Sequence, residues 1–232
     1  MESLNSVKAL TFDLFGTVLD LEGSLTGPIG EFLQNKGVKL DPAEIWRQWR
    51  YRQRIEQYQD NLLMMGHSGY LETARRAGLY VLRANRVPVS TDEMARLMEA
   101  WQSLRPFPDV AAGLQRLKGK YRLVALSNGE AWFLQHLARN RIRFDFDHVI
   151  SVEVAGAFKP HPGVYRAAAR ILESEPHELL MVSANSFDVM GARACGYRGA
   201  WVDRYQLPFE ETPYRPDIVA CDFGDLADKL GC

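Results

Sequence analysis

The sequence predicts an α/β protein: a Rossmann-like core with a doubly wound parallel sheet, and an all-helical cap inserted into that core. From Pro106 onward, short apolar runs alternate with helical stretches, which is typical of parallel strands joined by crossover helices. One more apolar run, residues 9–12, is separated from these by a block of helical patterns without a strand signal. We therefore expect a core of residues 1–18 and 101–232 and a cap of residues 19–100.

Four helices are predicted in the cap. The longest begins at Asp41, a good N-cap, followed by Pro42 at the first helical position, and it continues through "AEIWRQWRYRQRIEQYQDNLLMM". Another begins at Ser90 or Thr91, ahead of "DEMARLMEAWQSL". The other two cover residues 25–35 and 70–85.

The core segments alternate between strands and helices. The predicted strands are "RLVALSN", "DHVISVEV", "ELLMVSAN", "RGAWVDR" and "DIVACDF". Helices are predicted at residues 131–139, 162–172 and 188–195, with one more at the C-terminus. Ligands of such sheets bind at the carboxyl ends of the strands, where a cap would close over them.

The composition is that of an ordinary soluble globular protein, with 47% hydrophobic and 25% charged residues in a chain of 232. A formal charge of −1 argues against nucleic acid or an anionic membrane as a partner. No apolar run approaches the roughly 18 residues of a membrane span, and no signal peptide is recognisable. We expect a cytoplasmic protein.

The cysteines and histidines do not suggest a metal site. The cysteines are far apart and odd in number, which favours reduced thiols, and no two histidines have the spacing of a ligand pair. These residues are Cys195, Cys221, Cys232, His67, His136, His148, His161 and His177.

Polar residues follow several of the predicted strands. Asp13 ends the first strand, and Thr17 lies just beyond it. Each such residue alone has an ordinary explanation, as a turn former, a helix cap or a solvated loop lysine. Together, at successive strand ends, they predict one site. The other members are Ser127, Asn128, Lys159, Tyr165, Ser183, Asn185 and Asp188.

The order of these residues resembles the four motifs of the haloacid dehalogenase superfamily: "DLFGT" at 13–17, "SN" at 127–128, Lys159, and "SANSFD" at 183–188. Most members of that superfamily are magnesium-dependent phosphatases with Asp-x-Asp-Gly-Thr in the first motif. Phe15 stands here at the position of the second aspartate, and Ala184 replaces an acid of the fourth motif. Because magnesium prefers several hard oxygen ligands, phosphoryl transfer is disfavoured and no metal or organic cofactor is expected.

The remaining pattern is similar to the (S)-2-haloacid dehalogenase (type II) branch. That branch has an aromatic residue at the third position of the first motif and Ser-x-Asn-x-x-Asp in the fourth, and the spacing of Lys159 and Tyr165 is also similar. Three residues depart from the branch: Phe15 replaces the usual tyrosine, Glu130 follows "SNG", and Phe187 replaces a frequent tryptophan. The resemblance implies hydrolysis of a short 2-haloalkanoic acid to the 2-hydroxy acid through an aspartyl ester.

The resemblance also implies catalytic roles. Asp13 is the expected nucleophile, kept ionised by Lys159. Asp188, with Asn185 nearby, is expected to position and activate the water that hydrolyses the ester. The residues expected to orient the carboxylate and the lysine are Thr17, Tyr165 and Ser183.

Substrate and halide need binding groups of their own. The family takes a halide-binding arginine from its long cap helix, where this chain offers Arg47, Arg50, Arg52 and Arg54. Matching the surroundings of Tyr58 and Leu79 to the family pattern favours Arg52, with Arg50 second, and the resemblance implies that Asn128 shares the task. We expect Ser127 and the backbone amides after Asp13, at Leu14 and Phe15, to hold the substrate carboxylate. Phe187 and cap aromatics would exclude water.

Three alternatives remain open. The same Asp13 attack could open a strained ring such as azetidine-2-carboxylate, with Glu130 protonating the departing amine. A magnesium-dependent phosphatase is a second alternative, and a catalytically silent binding protein a third. Retention of Asp13, Lys159 and Asp188 argues against a silent protein. A homodimer formed through the cap helices would fit the family.

Overall fold

A computed structural model of the protein describes residues 4–232. The chain forms two compact units: one comprises the residues up to Leu19 together with Pro106–Cys232, and the other comprises Asp20–Arg105. The first unit is built on a parallel sheet with helices, so the predicted α/β class is confirmed.

The helical unit extends to Arg105, whereas the sequence suggested a boundary at residue 100. The reason is Trp101, which is fully buried among the rings of this unit. Its ring centroid lies 5.2 Å from that of Trp49 and 6.4 Å from that of Trp46.

The strands of the described residues can be numbered in chain order. They are β1 (Ala9–Phe12), β2 (Leu19–Asp20), β3 (Arg105–Pro106), β4 (Arg122–Ser127), β5 (His148–Ser151), β6 (Leu179–Ser183), β7 (Arg198–Val202) and β8 (Ile218–Ala220). The α-helices are α1 (Leu21–Asn35), α2 (Pro42–Leu62), α3 (Tyr70–Ala84), α4 (Thr91–Met98), α5 (Val110–Lys118), α6 (Ala131–His136), α7 (Pro162–Ile171), α8 (Ser186–Ala194) and α9 (Phe223–Lys229).

The main sheet has the order β5-β4-β1-β6-β7-β8, and all of its neighbouring strands are parallel. β1 lies between β4 and β6, with Ala9 opposite Arg122 on one side and Leu179 on the other. Every residue of β1 is buried, as expected of a strand covered on both faces. The carboxyl ends of β1, β4 and β6 therefore lie side by side.

Several element boundaries differ from the sequence prediction. α1 begins at Leu21 instead of residue 25, because the Asp20 side chain caps the Gly23 N–H at 2.8 Å. The strand predicted over "DHVISVEV" ends at Ser151, whose side chain accepts the Glu153 N–H and starts a 3₁₀ turn. α5 was not among the predicted helices.

The helical unit is built around the pairing of α2 and α3. Asp41 caps α2 ahead of Pro42, and Ser90 caps α4 in a capping box with Glu93, so both predicted starts are confirmed. Within residues 4–232, no helix combines the length and the apolar character that a membrane crossing requires.

Candidate active site

A tight turn after β1 shapes the first part of the site. The Asp13 N–H still donates to the Val182 carbonyl of the neighbouring strand at 3.0 Å, and the chain then turns through Gly16 at a φ of +88°. Glycine adopts this left-handed conformation without the steric cost of a side chain. The turn brings the Thr17 hydroxyl back to the Asp13 carboxylate, 2.9 Å from Oδ2.

Asp13 is buried, with a side chain 7% exposed, and its carboxylate is held by groups from four different segments. Its Oδ2 accepts hydrogen bonds from Thr17 and from the Asn185 side-chain amide, the latter at 2.8 Å. Its Oδ1 accepts the Ser127 hydroxyl at 3.3 Å and lies 3.6 Å from the Lys159 ammonium. These contacts fix the carboxylate in one orientation at the end of β1.

Lys159 is buried, with 1% of its surface exposed, so it is not a solvated loop lysine. Its ammonium donates to the Leu126 carbonyl and, at 2.9 Å, to Asp188 Oδ2. Its backbone N–H donates to the Asn128 side-chain oxygen at 2.9 Å, which ties the lysine loop to the end of β4. One buried cation thus lies between two carboxylates.

Asp188 uses its side chain for Lys159 and Tyr165 and not to cap its own helix. Its Oδ1 accepts the Tyr165 hydroxyl at 2.7 Å. Burial raises the pKa of Asp188, and the negative charge of Asp13 adds to this, while the Lys159 ammonium opposes it. Burial and the Asp188 carboxylate hold the pKa of Tyr165 well above its ordinary value, so the tyrosine is a neutral donor.

Ser183 contacts two of the residues that donate to Asp13, namely Asn185 and Thr17. Its hydroxyl oxygen accepts the Asn185 N–H at 3.1 Å and lies 3.5 Å from the Thr17 hydroxyl. The Thr17 oxygen also accepts the Ala184 N–H at 2.8 Å. Ala184, which replaces an acid of the fourth motif, therefore helps to hold Thr17 through its backbone N–H.

Two of the groups expected to bind the substrate carboxylate are hydrogen-bonded to each other. The Leu14 N–H donates to the Ser127 hydroxyl at 3.4 Å. Phe15 is buried and stacks on Phe133 with ring centroids 5.9 Å apart, and Phe187 is half-buried. Phe133 was not among the predicted site residues. The only sequence signal for it is that an aromatic residue lies a few positions after the "SNG" motif.

The cap arginines have partners inside the helical unit. Arg52 donates from two nitrogens to Glu56 Oε1, at 2.9 and 2.6 Å, and its guanidinium stacks over Tyr80 at 4.2 Å. Arg50 donates to Gln53 at 3.3 Å. The side chain of Arg47 is 64% exposed and pairs with a surface glutamate. Because its ion pair is exposed to solvent, Arg47 could bind another anion at little cost in stability.

The site is therefore a buried carboxylate held by neutral donors beside a lysine that a second carboxylate orients. Such a group is suited to nucleophilic attack on an electrophile and to formation of a covalent ester. Among residues 4–232, no three His, Cys, Asp or Glu side chains are grouped as a metal site.

Comparison with known proteins identifies the family. Residues 7–196 match the haloacid dehalogenase-like hydrolases. The chain belongs to this family and is a hydrolase, as its four motifs indicated.

Particular relatives are dehalogenases. The chain is 31% identical to haloacetate dehalogenase H-2 of Moraxella sp. (strain B), an alignment that covers 93% of this chain and 94% of the relative. It is 33% identical to an (S)-2-haloacid dehalogenase of Xanthobacter autotrophicus, over 85% of this chain and 76% of the relative. A solved structure of the L-2-haloacid dehalogenase from Xanthobacter autotrophicus, with chloropropionic acid covalently bound, superposes with a TM-score of 0.84. That structure is 28% identical and covers 97% of this chain and 98% of its own.

Proposed function

We propose that this protein is a hydrolytic dehalogenase that converts a short 2-haloalkanoic acid into the 2-hydroxy acid through an ester on Asp13. One observation carries the proposal: the buried Asp13 carboxylate is fixed by donors on both oxygens, 3.6 Å from Lys159. The names of the relatives and the covalent adduct in one of them support the same reaction. Their names do not favour ring opening with Glu130 as the acid.

In the first step, an Asp13 oxygen attacks the carbon that bears the halogen from the side opposite the halogen. The carbon–oxygen bond forms as the carbon–halogen bond breaks, and the halide leaves with the bonding electrons. A carboxylate stripped of water and held in position is a much better nucleophile for this step than water itself. The Lys159 ammonium, 3.6 Å from Asp13 Oδ1, places a positive charge beside the attacking carboxylate.

In the second step, water attacks the carbonyl carbon of the Asp13 ester. The water oxygen remains in the Asp13 carboxylate, and the oxygen that attacked the substrate leaves as the hydroxyl group of the product. We assign activation of the water to Asp188, with Asn185 positioning it. Burial raises the pKa of Asp188, which makes its carboxylate a stronger base than an exposed aspartate.

The departing halide is an anion, so it needs a positively charged hydrogen-bond donor. The sequence favours Arg52, followed by Arg50, and Asn128 shares the task. Because Arg52 already donates twice to Glu56, its recruitment would cost those hydrogen bonds, and Arg47 must be tested beside it. The Ser127 hydroxyl and the backbone amides of Leu14 and Phe15 would donate hydrogen bonds to the substrate carboxylate.

The experiment is a panel of chloro-, bromo- and fluoro-substituted acids with free halide measured, with and without EDTA. Turnover should survive EDTA and gain nothing from magnesium, because Phe15 and Ala184 stand where phosphatases place acids. In a single turnover in heavy-oxygen water, solvent oxygen should appear in a peptide containing Asp13. Direct entry of solvent oxygen into the first product would instead make water the nucleophile and exclude the ester.

The cellular setting and the assembly are also proposals. We place the protein in the cytoplasm, which the three free cysteines support. We propose a homodimer through the cap helices, supported by exposed apolar side chains at and after the end of α2: Leu62, Leu63, Met64 and Met65. A monomeric mass in sedimentation at micromolar concentration would exclude the dimer.

A further inference from the structure

Arg204 follows β7 and is a buried cation that lies outside the sequence motifs. Its side chain is only 6% exposed. The guanidinium lies over the rings of Phe107 and Phe223, 4.2 and 5.1 Å from their centroids. Two of its nitrogens have different partners: Nη1 donates to Asp109 Oδ1 at 2.8 Å, and Nε donates to the Thr17 carbonyl at 3.2 Å.

Asp109 is a fixed partner for this arginine. Its other oxygen accepts the Phe223 N–H at 2.9 Å. Burial alone would raise the pKa of Asp109, but the hydrogen bonds from Arg204 and the Phe223 amide outweigh it and hold the pKa below its usual value. The carboxylate therefore stays ionised at neutral pH and fixes the guanidinium in a site lined by aromatic rings.

Two adjacent backbone carbonyls of the turn after β1, those of Gly16 and Thr17, each accept a hydrogen bond from a side chain that follows β7. Arg204 binds the Thr17 carbonyl, and the next residue, Tyr205, donates its hydroxyl to the Gly16 carbonyl at 3.2 Å. The hydroxyl of the same Thr17 donates to Asp13 Oδ2 at 2.9 Å. The backbone that Arg204 fixes is thus the backbone that aims this hydroxyl.

We propose that Arg204, held by Asp109, is a positioning residue that sets the Asp13 carboxylate through Thr17. Arginine suits this role because its planar fork directs two donors along separate fixed directions. Lysine has one nitrogen at the end of a flexible chain, so it can pair with Asp109 but holds the Thr17 carbonyl poorly. This proposal rests on the proposed function in one respect, which is that its kcat values are measured as dehalogenase activity.

The experiment compares Arg204→Lys and Arg204→Met with Arg193→Met. Arg193, in the last turn of α8, forms a part-buried ion pair with Asp217 at 2.8 Å and donates to the Tyr197 carbonyl at 3.2 Å, so it controls for the general loss of such a pair. Both Arg204 variants should lose about 10–10² in kcat at nearly unchanged KM, because small displacements of a nucleophile are costly. Arg193→Met should keep its kcat. Equal kcat in a folded Arg204→Lys and in the wild type would overturn the proposal.

A double-mutant cycle tests the route through Thr17. If Arg204 acts through the threonine hydroxyl, Arg204→Lys should cost far less rate in a Thr17→Val background than in the wild type. The same fold loss in both backgrounds would overturn the route. Arg204→Lys keeps a charge opposite Asp109, so it remains informative if Arg204→Met does not fold.

Hydrogen exchange gives a readout that does not depend on activity. The Thr17, Val18 and Leu19 amides all donate to the Leu14 carbonyl, at 3.3, 3.1 and 2.8 Å. Arg204→Lys should speed exchange of these amides, and Arg193→Met should not. If exchange responds in this way while the wild type releases no halide, the proposed function fails and the positioning role stands. Unchanged exchange of these amides in Arg204→Lys would refute the positioning role even if kcat fell.

Discussion

Each unit of the molecule contains a cluster of buried or partly buried charge, and the two clusters differ in their balance. In the helical unit, Arg52, Glu56, Arg76 and Asp60 alternate in sign, with N–O distances of 2.6, 3.4 and 3.1 Å along the series. In the sheet unit, Lys159 lies 3.6 Å from Asp13 and 2.9 Å from Asp188. The first cluster has a cation for each carboxylate, and the second has one cation for two carboxylates.

The difference leaves a carboxylate without its own cation in the second cluster but not in the first. Paired charges in the helical unit neutralise one another, so neither carboxylate there is available as a nucleophile. In the sheet unit, the excess negative charge is held by neutral donors, namely Thr17, Ser127, Asn185 and Tyr165. Such donors stabilise a carboxylate without cancelling its charge, which leaves Asp13 available as a nucleophile.

The largest expected effect follows removal of the reactive charge. Asp13→Asn should lower the rate of halide release by about 10⁴-fold or more, because a neutral amide is a far weaker nucleophile than a carboxylate. Its thermal stability should not fall, because the change removes the like charge that helps to raise the pKa of Asp188. Halide assays and thermal melts measure the two effects.

Asp188→Asn provides the matched comparison within the same cluster. It keeps the attacking carboxylate but removes the base assigned to ester hydrolysis. Halide should appear in a burst of one enzyme equivalent and then stop, with the substrate acyl group found by mass spectrometry on a peptide containing Asp13. Steady turnover at the wild-type rate would reject the assigned role of Asp188.

An intermediate effect is expected from the arginines of α2. As the predicted halide donor, Arg52→Ala should lower kcat by ~10²–10³. It should also lower the melting temperature, because Glu56 would lose two hydrogen bonds from Arg52. Arg47→Ala, with its exposed side chain, should leave the melting temperature unchanged. A large rate loss in Arg47→Ala, with Arg52→Ala still active, would place the donor nearer the start of α2.

The smallest effect concerns an acid whose pKa shifts in the direction opposite to that of Asp188. The Lys36 ammonium, together with the backbone and side chain of Ser90, lowers the pKa of Glu93 to about 2. Because the folded-state pKa lies below the unfolded value of about 4.5, Glu93 stabilises the fold above that pH. Glu93→Gln should therefore melt slightly earlier at pH 7.

The pH dependence supplies the control for this variant. The difference between wild type and Glu93→Gln should shrink as the pH falls from about 4.5 towards 2, where Glu93 becomes protonated in both states. Glu99→Gln, at an exposed position just after α4, is the matched variant measured beside it. A constant difference across this range would mean that Glu93 acts through packing instead of charge.

The sequence predicted the sheet well because its central strands are buried on both faces and appear as short apolar runs. It predicted that Asp13, Lys159 and Asp188 share a site, but not that Lys159 is buried between the two acids. A lysine before a proline has no local signal for burial. Arg204 could not be predicted either, since its contact with Thr17 joins loops after two strands that are not neighbours in the sheet.

The central position of β1 has a consequence for how the protein is made. β1 is the first of these strands to leave the ribosome, yet its partners β4 and β6 are synthesised much later. Contacts this distant in sequence form slowly, whereas the helices of Asp20–Arg105 are contiguous and can fold earlier. The Asn185 amide that donates to the Asp13 carboxylate, and the Arg204 guanidinium that donates to the Thr17 carbonyl, both belong to the last quarter of the chain to be synthesised. The complete set of contacts around Asp13 can therefore form only when synthesis is nearly finished.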